Sequence, residues 1–343
     1  MIPWGTPSVT VAFLLHANGS AVQTHWAKWE ERSSGSAALV ARAWRRLHAR
    51  GLVPADSPPL NAWIHVADAG MSDLPLPLHP PGGLTVSTVT SERSATAALF
   101  PDYSYAGWRA IGFDAQAHSP GSFARSLVLS GLLPAREPLL PQAAFFGDRS
   151  LNPARRALVE LAEEHPDTLW VRHVLATAEG GSAPPDGFVP FHELSRWSVL
   201  LDVPGGGWSG RLKFLPLLGR PLLVLDRRDW GWGDGVLRPF EHYRPVRVSQ
   251  IDGTNAVDEA ELLTQLRKQL KWVRTHPRGA AAMAERARRA ALDAFDGVDE
   301  QAAQVLRQHA GQARSELGAE PQQRTRASHE WARTVEASLR PAG

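Results

Sequence analysis

Residues 197–225 read WSVLLDVPGGGWSGRLKFLPLLGRPLLVL, and this stretch decides the fold class. The apolar runs at residues 197–203 and 221–225 have the length of buried strands. A glycine-rich loop at residues 205–211 separates them, and we expect a helix to begin after it, near Arg211. A strand, a loop, a helix and a second strand in this order predict a βα unit, and therefore an α/β protein built on a parallel sheet.

Strand and helix patterns alternate along the rest of the chain as well. In the first half we expect strands at residues 9–15, 62–67 and 84–89 and a helix at residues 37–47. In the second half we expect helices at residues 153–164, 259–274 and 278–295 and a strand at residues 169–175. The helix at residues 153–164 has the clearest signals, because Asn152 can cap its first turn and Pro153 suits its first position.

A proline-rich segment at residues 134–141 interrupts this alternation. The chain has 343 residues, whereas single hydrophobic cores stop growing near ~250 residues. We therefore predict an N-terminal domain at residues 1–140, a second domain at residues 141–296 and a helical tail at residues 297–343.

The composition excludes several classes of protein. Hydrophobic residues make up 43% of the chain and charged residues 21%, which is typical of a folded globular protein. Cysteine is absent, so disulfides, thiolate nucleophiles and cysteine-based metal sites are excluded. The formal net charge is only +2, and we therefore expect no nucleic-acid partner.

The N-terminal region lacks the pattern of a signal peptide or a membrane span. Its apolar run at residues 9–15 has only the length of a strand and is followed by Asn18 and Gly19. We expect a cytoplasmic protein that can make peripheral contact with the inner membrane.

The glycine loop is the segment best suited to bind phosphate. Glycines let the main chain approach a ligand closely, and a helix starting near Arg211 would present free amides to an anion. The guanidinium group of Arg211 also fits a diphosphate. Gly205, Gly207 and Gly210 match the G-x-G-x-x-G pattern of dinucleotide-binding proteins, and Asp226 follows as a ribose-binding acid would.

An NAD-dependent oxidoreductase is therefore one alternative, although its motif normally lies in the first βα unit, whereas here other strands come before it. A glycine turn without any ligand is another. The sequence contains no G-x-S-x-G, P-loop, H-E-x-x-H or D-x-D pattern, and its 13 histidines form no ligand pair. We expect neither a metal nor a resident cofactor.

Residues 197–246 resemble the signature of glycosyltransferase family 90. That family includes protein O-glucosyltransferases, fungal capsule xylosyltransferases and bacterial lipopolysaccharide-modifying enzymes. Its pattern runs from a strand and a glycine turn through W-S-x-R-L-K and a second strand to L-x-P-x-x-H-Y-x-P-V. Here the two motifs read WSGRLK at residues 208–213 and LRPFEHYRPV at residues 237–246.

Two upstream segments also resemble the family, so the similarity extends over residues 68–295. FGDRS at residues 146–150 is similar to its F-R-G-S-R-T segment, and DYSYAGW at residues 102–108 is similar to its D-x-x-x-x-x-W segment. There are departures, since the first arginine of F-R-G is missing and the acidic residue before L-x-P is replaced. Donor recognition could then use Asp229 or Asp234.

The resemblance implies a GT-B fold, in which two Rossmann-like domains face each other across a cleft and the second binds the nucleotide. It implies an inverting transfer of sugar from a UDP-sugar to a hydroxyl of a glycan or glycolipid, such as a surface polysaccharide or lipopolysaccharide. A non-catalytic sugar-binding protein remains a further alternative.

Inverting transfer needs a general base for the acceptor hydroxyl and an anion clamp for the departing diphosphate. By its match to the family, Asp102 is the candidate base, although an aspartate after Pro101 could equally cap a turn. The candidate donor-binding residues are Arg149, Gly207, Trp208, Ser209, Gly210, Arg211, His242 and Tyr243. The candidate acceptor-side residues are Asp68 and Trp108.

Overall fold

The computed structural model describes residues 10–25, 30–53, 59–65, 84–87, 89–90, 99–106, 113, 118–132, 139–174, 189–205, 209–227, 230–249 and 256–317. The strands are β1 Thr10–Leu15, β2 Ala21–His25, β3 Leu60–His65, β4 Leu84–Ser87, β5 Val89–Thr90, β6 Leu140–Gly147, β7 Leu169–His173, β8 Trp197–Asp202, β9 Leu222–Leu225, β10 Trp230–Gly231 and β11 Arg244–Val246. The α-helices are α1 Glu30–Ala49, α2 Pro120–Leu132, α3 Pro153–Glu164, α4 Trp232–Val236, α5 Glu259–Thr275 and α6 Pro277–Leu317.

The five-stranded sheet of the second half is entirely parallel, with the strand order β11-β9-β8-β6-β7. Helices cover both of its faces. In β9, Leu223 belongs to one buried core with Leu158 of α3 and Leu266 of α5. The neighbouring Leu222 faces a second core that includes Phe295 of α6. Strands buried on both faces read as continuous apolar runs, and the α/β class expected from residues 197–225 is confirmed.

The strand order creates a crevice at one point of this sheet. From β6 the chain adds β7 on one side, and it then returns to place β8 on the other side of β6. The connections after β6 and β8 therefore leave the sheet in opposite directions. In open α/β sheets, ligands bind outside the carboxyl ends of the strands at such a switch point.

The parallel sheet expected for the first half is wrong for the described strands. β1 pairs antiparallel with both β2 and β3, and only β3 and β4 are parallel. A tight hairpin is the cause, since the amide of His16 donates to the Ser20 carbonyl at 2.9 Å and Gly19 has a φ of 82°. A connection this short can join only antiparallel strands.

α6 is much longer than the expected helix at residues 278–295. Its buried stripe continues past Gly297 through Val298 and Leu306, because these side chains pack in the core that also contains Trp44 of α1. The same core contains Leu200 of β8, so buried residues from both halves of the chain pack together. The division into domains at residues 1–140, 141–296 and 297–343 stays a prediction.

Gly131 of α2 allows this helix to lie directly on the segment that follows the glycine loop. A Cβ at Gly131 would lie 2.8 Å from the carbonyl oxygen of Leu218 and 2.9 Å from its Cα. Gly131→Ala is therefore expected to lower the unfolding free energy by about 1–3 kcal/mol, since main chain cannot yield easily. Urea unfolding measures this change.

Gly297 offers a matched control within another helix. A Cβ there meets nothing within 4 Å, so Gly297→Ala should raise stability by about 1 kcal/mol through helix propensity. Equal effects of the two substitutions would contradict the close packing at Gly131.

Among the residues described, no helix has both the length and the apolar character needed to cross a bilayer.

Candidate active site

Charged side chains gather where the parallel strands end. Asp202 is the last residue of β8, Arg227 follows β9 by two residues, and Arg155 lies in the first turn of α3, after β6. All three are buried, at 0%, 5% and 5% exposure. The carboxyl ends of parallel strands lie at one edge of a sheet, which is why residues so far apart in sequence meet there.

Asp202 is the centre of this arrangement. Its Oδ1 accepts a hydrogen bond from Ser209 Oγ at 2.7 Å, and its Oδ2 accepts one from Arg227 Nη2 at 2.6 Å. Arg211 Nη2 lies 3.8 Å from Oδ1. Ser209 and Arg211, both expected in the donor site, are therefore held against the carboxyl end of β8.

The guanidinium group of Arg211 packs on aromatic rings at this edge. It lies 4.5 Å from the ring centroid of Phe145 and 5.3 Å from that of Phe146, and it donates to the Val203 carbonyl at 3.2 Å. Burial lowers the pKa of Arg211 to about 10, and Asp202 opposes that shift. The group is therefore a fixed cation at neutral pH.

Arg155 and Asn152 hold the start of the glycine loop from the side of β6. Arg155 donates to the carbonyls of Pro204 at 2.8 Å and Val203 at 3.2 Å, and Asn152 Nδ2 donates to that of Gly205 at 3.0 Å. Burial lowers the pKa of Arg155 to about 9. Sequence reasoning missed the role of both side chains in holding this loop, although their position just after an apolar strand was a usable signal.

Asp102, the expected base, lies in a buried ion pair. Lys213 Nζ donates to its two oxygens at 2.9 and 2.7 Å, and Ser104 donates to Oδ1 through both its amide and its hydroxyl. The ammonium group lies 4.8 Å from the ring centroid of Tyr105 and 5.6 Å from that of Phe214. Burial lowers the pKa of Lys213, whereas Asp102 raises it.

Asp234 completes the arrangement. Its Oδ1 lies 3.7 Å from Arg227 Nη1, and its Oδ2 accepts a hydrogen bond from the Gly231 amide at 2.7 Å. Burial raises the pKa of Asp234 to about 6, although Arg227 lowers it. The carboxyl group is thus mainly ionised at neutral pH.

These residues form one group, which we call the buried charge cluster. Its members are Arg155, Arg211, Lys213, Arg227, Asp102, Asp202 and Asp234. Among its buried members, four basic side chains face three acidic ones, which leaves an excess of one positive charge, and the half-buried Asp148 also acts on Arg155. An anion at the neighbouring crevice would balance it.

The family model for glycosyl transferase family 90 matches residues 88–316, which is more than half of the chain. The chain belongs to glycosyl transferase family 90. It is therefore a glycosyltransferase, and the family match does not favour an NAD-dependent oxidoreductase. The matched region contains every member of the buried charge cluster. Comparison with curated proteins gave no match.

Other candidate residues of this glycosyltransferase are placed differently. Arg149 is exposed in the turn after β6, at the edge of the sheet where the charge cluster lies. Gly210 is half-buried between Ser209 and Arg211. Outside the described residues lie Asp68, Trp108, Gly207, Trp208 and Asp229.

His242 and Tyr243 precede β11 and so lie at its amino end, whereas the crevice is at the carboxyl ends. His242 Nδ1 accepts a hydrogen bond from the Arg238 amide at 2.9 Å, and burial lowers its pKa. The Tyr243 carbonyl accepts from the amide of Phe240, whose φ is 65°. Tyr243 is linked to the cluster electrostatically through Arg227. These contacts of His242 stabilise a turn, and a donor-binding role for either residue stays a prediction.

The helix expected to begin near Arg211 is wrong. Residues 210–214 form turns, and only a short 3-10 helix follows, at Leu215–Leu218. Pro216 has no amide to donate, and Gly219, with a φ of 66°, ends the segment. In the segment that follows the glycine loop, positive charge therefore comes from side chains and not from the start of an α-helix.

Within the part of the chain that the structure describes, no three His, Cys, Asp or Glu side chains are grouped so that they could hold a metal ion.

Proposed function

We propose that this glycosyltransferase transfers sugar from a UDP-sugar to a hydroxyl group with inversion at the anomeric carbon. The donor diphosphate would lie in the crevice between the carboxyl ends of β6 and β8. One observation carries the proposal: Arg211 is fixed at this edge within a cluster that has excess positive charge. A diphosphate supplies the missing negative charge at the switch point where α/β sheets bind nucleotides.

Arg211 and Arg149 would stabilise the diphosphate as it leaves. Negative charge grows on the leaving oxygen during transfer, and a preorganised cation at that position lowers the barrier more than it strengthens ground-state binding. Arg211 is held in place by aromatic rings and a carbonyl, and Arg149 lies exposed after β6. We propose that these arginines act in place of a divalent metal.

Asp102 would accept the proton of the acceptor hydroxyl. Its carboxylate is held beside the ammonium group of Lys213, 2.7 Å from Oδ2. Because Asp102 is only 1% exposed, the acceptor reaches it only after neighbouring segments move apart. A GT-B arrangement, in which segments around the crevice open while the Asp102–Lys213 pair stays closed, would permit that movement.

The acceptor is proposed to be a glycan or glycolipid of the bacterial surface, such as lipopolysaccharide, modified from the cytoplasmic side of the inner membrane. This part of the proposal rests on the resemblance to lipopolysaccharide-modifying members of the family. A non-catalytic sugar-binding protein would also use the cationic crevice, but it would not require a base at Asp102.

Thermal unfolding with nucleotides tests the donor. Saturating UDP or UDP-glucose is expected to raise the melting temperature by several degrees, because a ligand at 100 times its dissociation constant adds about 2.7 kcal/mol. The increase should persist in EDTA, since side-chain cations bind the diphosphate. Stabilisation by NAD without any by UDP, or loss of the UDP effect in EDTA, would contradict the proposal.

A further inference from the structure

We propose that Lys213 is a positioning residue that holds the Asp102 carboxylate in place and leaves its Oδ2 as the oxygen that accepts the acceptor's proton. The inference rests on the proposed function, in which Asp102 is the general base. It assigns a role to a lysine whose side chain is almost completely enclosed, at 4% exposure.

The two oxygens of Asp102 are not equivalent. Oδ1 accepts three hydrogen bonds, from Lys213 Nζ at 2.9 Å, the Ser104 amide at 3.0 Å and the Ser104 hydroxyl. From the described residues, Oδ2 accepts one hydrogen bond, from Lys213 Nζ at 2.7 Å. A carboxylate offers about four lone-pair sites in all. Oδ1 is therefore saturated, and Oδ2 retains the capacity for an incoming hydroxyl.

The ion pair also decides the charge of the base. A buried carboxylate without a cation takes up a proton readily, because burial penalises the ionised form. Among the described residues, Lys213 is the cation that contacts Asp102, and the Tyr105 phenol interacts electrostatically with the same carboxylate. Asp234 and Asp202 also raise the pKa of Lys213 electrostatically, against the lowering effect of burial. Each partner thus provides the counter-charge of the other.

Lys213 also connects the base to the donor side of the site. It lies in the turn that contains Ser209 and Arg211, where the Leu212 amide donates to the Ser209 carbonyl at 3.3 Å and the Phe214 amide to the Arg211 carbonyl at 2.9 Å. The same turn therefore carries Arg211, the cation proposed to bind the diphosphate, and Lys213, the residue proposed to orient the base. The position of the base is thereby tied to that of the donor.

Bond formation, bond cleavage and proton transfer balance in the proposed sugar-transfer step. The acceptor oxygen forms a bond to the anomeric carbon, and the bond from that carbon to the phosphate oxygen breaks, with its electron pair leaving on UDP. The acceptor's proton moves to Asp102 Oδ2. Lys213 stays protonated throughout, and Asp102 returns its proton to solvent before the next turnover.

The test compares Lys213→Met and Lys213→Arg with the wild-type enzyme, following UDP release from UDP-glucose and UDP-xylose across pH 5–9. Lys213→Met is expected to lower kcat about ten-fold or more and to move the acidic limb of the kcat profile upward by about one pH unit. The limb moves up because a base without its cation stays protonated, and inactive, to higher pH. Donor KM should change little, and Lys213→Arg should restore the position of the limb.

Arg42→Met is the matched control, because it breaks another ion pair between distant segments, that of Arg42 with Asp299 at 2.8 Å. It should leave the pH profile unchanged even if it lowers stability. A Lys213→Met enzyme with wild-type kcat and an unmoved acidic limb would overturn the role of Lys213 while leaving the proposed function intact. If the wild-type enzyme neither binds UDP nor releases it from either sugar nucleotide, the proposed function fails and this inference fails with it.

Discussion

Replacing Asp102 with Asn is expected to slow sugar transfer about 10²- to 10⁴-fold, the usual effect of removing a general base, with UDP-sugar affinity close to normal. The amide keeps the size of the carboxylate and can still accept a hydrogen bond from Ser104, but it cannot take up the acceptor's proton. Binding and chemistry should separate, because the donor is proposed to contact Arg211 and not Asp102. Single-turnover transfer and UDP titration measure the two quantities.

Asp102→Asn also affects stability, because Asp102 forms a buried ion pair with Lys213, and this effect needs its own control. Asp102→Asn leaves the buried ammonium of Lys213 without a full counter-charge, which typically costs about 3–5 kcal/mol. The double variant Asp102→Asn/Lys213→Met removes both charges and should recover part of that stability while remaining inactive. Wild-type transfer by a folded Asn variant would make Asp102 a turn residue, and Asp68 would be the next candidate base.

Arg211→Ala is expected to weaken UDP binding and slow turnover together. Loss of one preorganised charged contact with the departing diphosphate costs about 2–4 kcal/mol of transition-state stabilisation, a roughly 30- to 1,000-fold loss of turnover, and UDP affinity should fall by a smaller factor. The variant should still fold, because Asp202 keeps its hydrogen bonds from Ser209 and Arg227. Isothermal titration with UDP and single-turnover rates measure the two losses.

Arg211→Lys and Arg289→Ala are the controls for this prediction. Lysine keeps the charge but loses the planar fork that fits a diphosphate, so partial recovery is expected. Arg289 is an exposed arginine of α6, paired with Glu285 at 2.8 Å, and its removal should not affect UDP binding. An unaltered UDP affinity in folded Arg211→Ala would contradict the proposed anion clamp.

Local signals predicted the second half of the fold well. The predicted helix at residues 153–164 is confirmed at Pro153–Glu164, where the Asn152 side chain accepts from the Ala154 amide. Caps and apolar runs are encoded within a few residues, so they can be recognised without knowledge of the rest of the chain. In the first half, β2 is short and has no apolar run, and it was missed together with the hairpin that makes the sheet antiparallel.

The candidate site was predictable only where its residues are close in sequence. Ser209 and Arg211 lie in one short motif directly after a strand, and the structure brings them together at Asp202. The pairing of Lys213 with Asp102 joins residues 111 positions apart. No local pattern encodes such a contact, because it depends on how the two halves of the chain pack.

The sequence by itself determined the α/β class, strands β7, β8 and β9 of the parallel sheet and the family, because periodicity, caps and motif spacing are local properties. Only the tertiary structure decided which charges share the carboxyl edge of that sheet, that the candidate base is paired with Lys213, and that no α-helix follows the glycine loop. The physical reason is burial. A helix start near Arg211 is a local preference, but packing and a left-handed Gly219 override it. The charge state of each member of the cluster is likewise set by neighbours that the fold brings within a few ångströms.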